Sequence, residues 1–328
     1  MRASMVYRSL MSSKHPCCVY LGDELARYAF GNDHPFGPLR HDAFKNALYQ
    51  RHLDGSVDIL PPAATTQEVL ELFHRHEYIE KVRRLSKFGT GFLDQGDTPA
   101  FAGMFEASLA VAGSVCEAID RLMDGEYKRA FVPIAGLHHA RRETAAGFCV
   151  INDCGIAIEY LRQRYKIRRI AYIDIDAHHG DGVYYSFADD PELCFIDFHE
   201  DGRFLYPGSG DVTETGDGDA RGTKLNIPMP PGANDELFLK IWPRAESFLT
   251  QGQPDFVLMQ CGADSIAGDP ITHMAYSPAA HSHAVSRTCA LADTLCDGKV
   301  VTMGGGGYNL DNIAKAWTAV VSALVGAT

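Results

Sequence analysis

The chain has 328 residues, 46% hydrophobic and 22% charged, enough for one large core or two ordinary domains. Its 30 Lys and Arg against 42 Asp and Glu give a formal net charge of −12, so binding along a nucleic-acid backbone, which needs clustered positive charge, is not expected. An apolar run of about 18 residues, the length that spans a bilayer, is absent, and no membrane segment is expected either.

The 9 cysteines are odd in number, widely spaced and without a CxxC pair. That is the pattern of reduced thiols in the cytoplasm rather than of a disulfide framework. Residues 1–14 contain Arg2, Arg8, several serines and no acid, and they lack the apolar core of a secretory signal. They read as a flexible tail before a single domain over 15–328.

In chain order, Cys17–Leu21 predicts a first buried strand, and helical periodicity predicts helices over Thr66–Leu85 and Phe101–Met123. A strand over Ala130–Ile134 and a helix over Asp153–Tyr165 follow. The apolar runs Ile170–Ile173 and Cys194–Phe198 predict two strands, with a helix over Asp235–Leu249 after them. Then come a strand over Phe256–Gln260, a helix over Pro278–Leu295, a strand over Val300–Met303 and a closing helix over Leu310–Val325. Alternating strands and helices predict the α/β class, with a mostly parallel sheet covered on both faces. No repeat, low-complexity tract or linker divides the chain.

The segment Asp174-Ile175-Asp176-Ala177-His178-His179-Gly180-Asp181-Gly182 directly follows a predicted strand. It places three carboxylates and two imidazoles in eight positions. Alternation along a strand sends Asp174, Asp176 and His178 to one face. A single Asp-x-His there is more often a polar strand end with helix-capping aspartates, but this density favours a metal site. A carboxylate oxygen and an imidazole nitrogen two residues apart suit zinc or ferrous iron. Asp264, at the end of another apolar strand, is the best third ligand, against the plainer reading of a helix cap. Asp269-Pro270 reads as turn chemistry.

His138-His139 follows the strand ending at Ile134. Histidine suits proton transfer near neutral pH and needs a carboxylate on its other nitrogen, which Asp174 or Asp181 can supply. Gly304–Gly307 precedes Tyr308. Four glycines cost backbone entropy, so close backbone approach or positive φ is expected there, with a phenol aimed at a polarised carbonyl oxygen. Phe148 and Tyr206 lie beside glycines, where aromatic rings could wall a slot or simply join the core. Ligands of open parallel sheets bind outside the carboxyl ends of the strands, so four distant segments converge on one rim.

These residues resemble the histone deacetylase superfamily, most nearly its bacterial acetoin-utilisation deacetylase-like branch. The matching blocks include Gly31-Asn32-Asp33-His34-Pro35, His74 to Tyr78, Asp97-Thr98-Pro99 with Gly103, and His138-His139-Ala140. Gly147-Phe148-Cys149, Asp174–Gly182, Tyr206 to Gly210, Gly262 to Pro270 and Gly304 to Tyr308 complete the match. The resemblance implies a three-layer α/β/α fold shared with arginases, and a deacetylase-like catalytic domain over 15–328.

It further implies that Asp176, His178 and Asp264 hold one zinc, or Fe²⁺ in its place. His139 would be the general base and acid, held by Asp181, and His138 with Asp174 an electrostatic partner. Tyr308 would bind the carbonyl oxygen. Gly147, Phe148 and Tyr206 would line an acyl-lysine channel, with Asp97 gripping the substrate backbone and Arg40 lining an internal product cavity. A structural K⁺ would lie near Asp174, Asp176 and His178, with Asp197 standing where eukaryotic relatives commonly have serine. Ile271 occupies a position that is leucine or methionine in lysine deacetylases and glutamate in a polyamine-selective branch.

The expected function is therefore zinc-dependent removal of an acyl group, most simply acetyl, from lysine side chains of proteins or peptides. Acetylpolyamine hydrolysis is the alternative. A non-catalytic acyl-lysine binding module is the second, and an arginase would need a two-metal ligand set that is not evident.

Overall fold

The computed structural model describes residues 13–31 and 34–326. Residues 1–12, on which most of the tail reading falls, lie outside them, as do Asn32 and Asp33 of the glycine-led block.

Among the described residues, eight parallel strands form one sheet: β1 (Cys17–Tyr20), β2 (Asp58–Leu60), β3 (Arg129–Val132), β4 (Ile170–Asp174), β5 (Leu193–Glu200), β6 (Lys224–Met229), β7 (Phe256–Gln260) and β8 (Val300–Met303). Their spatial order is β2-β1-β3-β8-β7-β4-β5-β6. The helices are α1 (Asp23–Ala26), α2 (Leu39–Gln50), α3 (Gln67–Leu70), α4 (His76–Ser86), α5 (Met104–Met123), α6 (Asp153–Tyr165), α7 (Asp181–Ser186), α8 (Asp235–Gly252), α9 (Pro278–Leu295) and α10 (Leu310–Gly326). In one layer α10 packs on α2 and α9, and α9 on α8; in the other α5 packs on α4 and α6, and α6 on α3 and α7. This is the expected three-layer α/β/α arrangement.

Layers on both faces explain the strand composition. Every residue of β1, β3, β4, β5, β7 and β8 is buried, so most of these strands read as apolar runs rather than alternating ones, while β5 also buries Asp197, His199 and Glu200. Full burial of one Val, Ile or Leu contributes about 1.5–3 kcal/mol. The edge strands β2 and β6 are only half-buried in part, and neither stands out in the sequence.

Two predicted helices differ from the structure. Thr66–Leu85 is broken into α3 and α4, because His74 is drawn inward: its Nε2 accepts from Asn152 N at 2.8 Å, while Arg75 N donates to Arg142 O at 2.8 Å. The helix expected from Phe101 begins at Met104, since Gly103 has φ 81°, outside the helical region. β2, β6, α1, α2 and α7 were not predicted.

Lys224, which opens β6, is buried with its ammonium among neutral oxygens. Nζ donates to Asp190 O at 2.8 Å, Leu193 O at 2.9 Å and Thr223 Oγ1 at 2.7 Å, fastening the turn into β5. No helix of the described residues is long and apolar enough to cross a membrane.

Candidate metal centre and active site

The strands that precede the chemistry-bearing segments, β3, β8, β7 and β4, are neighbours at the centre of the sheet. Their carboxyl ends deliver His138-His139, Gly304–Tyr308, Asp264 and Asp174–Asp181 to one place, where parallel sheets hold their ligands.

Asp176, His178 and Asp264 are buried and offer ligand atoms within 4.8 Å of one another. His178 Nδ1 lies 3.1 Å from both Asp176 Oδ1 and Asp264 Oδ2. The remaining carboxylate oxygens face the protein. Asp176 Oδ2 accepts from Gln260 Nε2 at 2.7 Å and Gly306 N at 2.8 Å, and Asp264 Oδ1 from Ala177 N at 2.9 Å. Two carboxylates and one imidazole, each with one atom turned to a shared point, fit a zinc or ferrous ion with a position left open. The backbone is shaped for them: a Cβ on Gly306 would lie 2.1 Å from Asp264 Oδ2, and one on Gly262 2.1 Å from Asp176 Oδ2. Among the described residues the next helix after Asp264 is α9, capped by Ser277, so Asp264 is not a helix cap.

The two histidines each stand on a separate carboxylate. His138 Nδ1 is 2.7 Å from Asp174 Oδ2 and His139 Nδ1 is 2.8 Å from Asp181 Oδ1, while the two Nε2 atoms are 3.0 Å apart. Burial opposes charge on both rings. At His138 the carboxylates of Asp174, Asp176 and Asp197 outweigh burial and hold the pKa up to about 10. At His139 burial and then the positive His138 outweigh Asp181 and press it down to about 4. At neutral pH His138 thus carries the extra proton, and its Nε2–H donates to the lone pair on Nε2 of the neutral His139.

Behind this pair, Asp174 and Asp197 face each other in register on β4 and β5. Asp174 Oδ1 accepts only Asp176 N, and Asp197 accepts His199 Nδ1 on Oδ1 and Gly180 N on Oδ2. Lone pairs remain on these oxygens.

Tyr308 is held by its neighbours rather than by its own hydroxyl. Asp269 Oδ2 accepts Tyr308 N at 2.8 Å, and Asp269 Oδ1 accepts Ile271 N at 3.1 Å. The turn reading of Asp269 is right but incomplete, because the same carboxylate also holds the backbone N–H of Tyr308. Burial first, and then the charges of Asp264 and Asp176, hold the phenol pKa well above its ordinary value, so Tyr308 stays a proton donor.

Arg40 is buried and donates from Nη2 to Gly305 O at 2.6 Å and from Nε to Gly307 O at 2.8 Å, clamping the glycine run from behind. Its guanidinium lies 3.8 Å over the Phe36 ring, and Nη1 is buried without a hydrogen-bond partner.

Around the mouth, the Phe148 ring stands edge-on to Tyr308 at 5.9 Å and Tyr206 edge-on to His139 at 5.2 Å. Gly147 has φ 53°, and a Cβ there would lie 2.4 Å from His139 Cδ2, so only glycine lets this wall approach. Asp97, Asp94, Arg141, Thr144 and Tyr206 border an open cleft at the mouth. Ile271 is half-buried on the turn that Asp269 holds.

Sequence reasoning missed several supporting residues. Gln260 anchors Asp176 and also accepts Gly262 N at 2.7 Å. Asn152 Nδ2 donates to His138 O at 3.1 Å and Ala140 O at 2.8 Å, and buried Asp153 accepts Gly136 N and Leu137 N, both at 2.8 Å. His34 stands edge-on to Phe148 at 4.5 Å. Polar residues at strand ends and helix starts were the available signal, but most such residues merely cap.

A sheet that gathers paired histidines, candidate ligands and a phenol at one edge has the architecture of a hydrolase. The histone deacetylase domain matches residues 34–324, and the chain belongs to the histone deacetylase family of deacetylases. It is 36% identical over 303 residues to the acetoin utilization protein AcuC of Bacillus subtilis (strain 168), covering 89% of this chain and 78% of that protein. It is 35% identical over 316 residues to AcuC of Staphylococcus xylosus, covering 93% and 81%. The crystal structure of the HDA15 HD domain superposes with a TM-score of 0.86 at 25% identity, over 96% of this chain and 90% of that one.

Proposed function

We propose that the chain is a zinc-dependent deacylase that removes an acyl group, most simply acetyl, from lysine side chains of proteins or peptides. The observation that carries this reading is geometric: His138 and His139, each resting on its own carboxylate, stand beside the buried Asp176, His178 and Asp264 cluster. A zinc or ferrous ion held by those three residues would supply Lewis acidity toward an amide carbonyl and lower the pKa of water.

As substrate and water enter, the Nε2–Nε2 contact opens, and His139 then takes the proton of the attacking water on Nε2 while Asp181 holds the imidazolium that forms. The same proton then goes to the leaving amine. His138, already charged, favours negative charge nearby. Tyr308 donates a hydrogen bond to the oxygen that becomes negative. Phe148 and Tyr206 flank the aliphatic stem, Gly147 gives it room, Ile271 adds an apolar side, and Asp97 accepts backbone N–H groups of the substrate. The free Nη1 of Arg40 suits the released carboxylate. A K⁺ ion would use the spare lone pairs of Asp174 and Asp197. All nine cysteines are free and buried, which supports a cytoplasmic setting.

Acetylated polyamines are the second reading, favoured by the acidic Asp94 and Asp97 at the mouth. The intact His–Asp pairs speak against a binding module without turnover. Acetate release from a panel of acetyl-lysine peptides and acetylated polyamines tests both. Preference for peptides supports the first reading, preference for polyamines replaces it, and release from neither in metal-loaded protein removes both.

A further inference from the structure

Asp197 is an unexpected residue for the middle of a buried strand. It is inaccessible to solvent and stands in register with Asp174, and facing carboxylates on neighbouring strands repel. Each is therefore paired with its own histidine. Asp197 Oδ1 lies 2.7 Å from His199 Nδ1, and His199 Nε2 donates to Gly210 O at 2.9 Å. On its other side, Asp197 Oδ2 accepts Gly180 N at 2.9 Å, one residue before Asp181. One carboxylate thus holds both the turn under His139 and the loop that carries Tyr206.

That loop is pressed on the imidazole. Gly210 has φ 87°, and a Cβ there would lie 2.3 Å from His199 Nε2. Neighbouring supports act on the same stretch: His179 Nδ1 is 2.9 Å from Ser209 Oγ, and Glu214 Oε1 accepts Gly210 N at 2.8 Å and Asp211 N at 2.9 Å. Tyr206 itself is 44% exposed, so its ring is placed by this loop rather than by enclosure.

We propose that Asp197 and His199 are positioning residues that set the gap between Tyr206 and His139, and with it the width of the substrate passage. This rests on the deacylase reading. Neither residue meets the substrate. The stem of acyl-lysine passes between Phe148 and Tyr206, so loosening the loop weakens binding of the stem while the proton-transfer groups stay in place.

The test is a KM-against-kcat comparison on an acetyl-lysine peptide. His199→Leu should raise KM roughly tenfold and leave kcat within about threefold, a misplacement effect rather than loss of a reacting group. His199→Gln, which keeps a donor toward Gly210 O, should recover most of the loss. In a Tyr206→Ala background, His199→Leu should add little, because both changes remove the same contact. A loss in kcat alone, or penalties that multiply in the double variant, overturns the proposal. If His199→Leu does not fold, His199→Ala is read by the same criteria.

Amide hydrogen exchange without substrate separates this proposal from the reading beneath it. Gly210 and Asp211 should exchange faster in His199→Leu. Unchanged exchange removes the clamp even in an active deacylase. Faster exchange in a protein that hydrolyses no acyl-lysine keeps the clamp and removes only the substrate.

Discussion

His138 and His139, adjacent in sequence, turn their Nε2 atoms to within 3.0 Å of each other while their Nδ1 atoms rest on Asp174 and Asp181. Only one proton fits between the two Nε2 atoms, and the surrounding carboxylates assign it to His138. His139→Ala should then cost more activity than the roughly 10²–10⁴-fold typical of acid–base catalysis, since it serves both attack and departure. His138→Ala should cost less, and both variants should keep the metal. Steady-state rates with metal analysis check this, and the reverse ranking would exchange the two roles.

Asp264, four residues beyond the end of β7, is the third candidate ligand. Asp264→Ala should lower metal affinity by more than the roughly 10–100-fold that loss of an outer partner costs, with activity falling alongside. Metal content after dialysis, with circular dichroism to confirm the fold, is the measurement. Full occupancy would remove Asp264 from the ligand set.

Gly306 tests the same centre from the backbone side. Gly306→Ala would put a Cβ 2.1 Å from Asp264 Oδ2 and 2.8 Å from Asp176 Oδ2, so one ligand must shift. Metal should bind more weakly although no ligand has changed. Wild-type affinity would show that the glycine run gives way easily.

Tyr308→Phe keeps the ring and removes one hydrogen-bond donor. The donor acts most strongly where negative charge is greatest, so kcat should fall roughly 10²–10³-fold with KM and metal content little changed. Near wild-type turnover would reduce Tyr308 to a wall of the pocket.

Asp97 gives a pH dependence. Burial first, and then its neighbour Asp94, push its pKa up to about 6. A carboxylate raised in this way loses its charge as pH falls through that value, and with it an acceptor for peptide N–H groups. KM for peptides should therefore rise between pH 7 and pH 5, and Asp97→Asn should already have the high KM at pH 7 and stay flat. A small acetylated amine, without backbone amides, should show neither effect. Parallel behaviour of both substrates would leave Asp97 a role in the loop alone.

The central strands and their chemistry were legible because buried parallel strands are apolar runs, and Asp176, His178, Asp264 and His138-His139 follow them directly. Alternation alone could not reveal β2 or β6, which are partly exposed edges. Nor could periodicity foresee that His74 would be drawn inward to Asn152 and split a helix. Gln260, Asn152 and Asp153 escaped notice because their meaning lies in partners 84 positions away, as with Gln260 and Asp176, or on another strand's end. Such partners exist only after folding.

The sheet order has a consequence for biosynthesis. β8 lies between β3 and β7, and β7 between β8 and β4, so the two described strands latest in chain order fill the middle. Until then a growing chain can assemble only two separate half-sheets, β2-β1-β3 and β4-β5-β6, each with an unpaired inner edge open to wrong partners. The insertion that closes these edges also carries in Asp264 and Tyr308. A growing chain therefore gains Asp264 and Tyr308 together with the strands that close its unpaired inner edges.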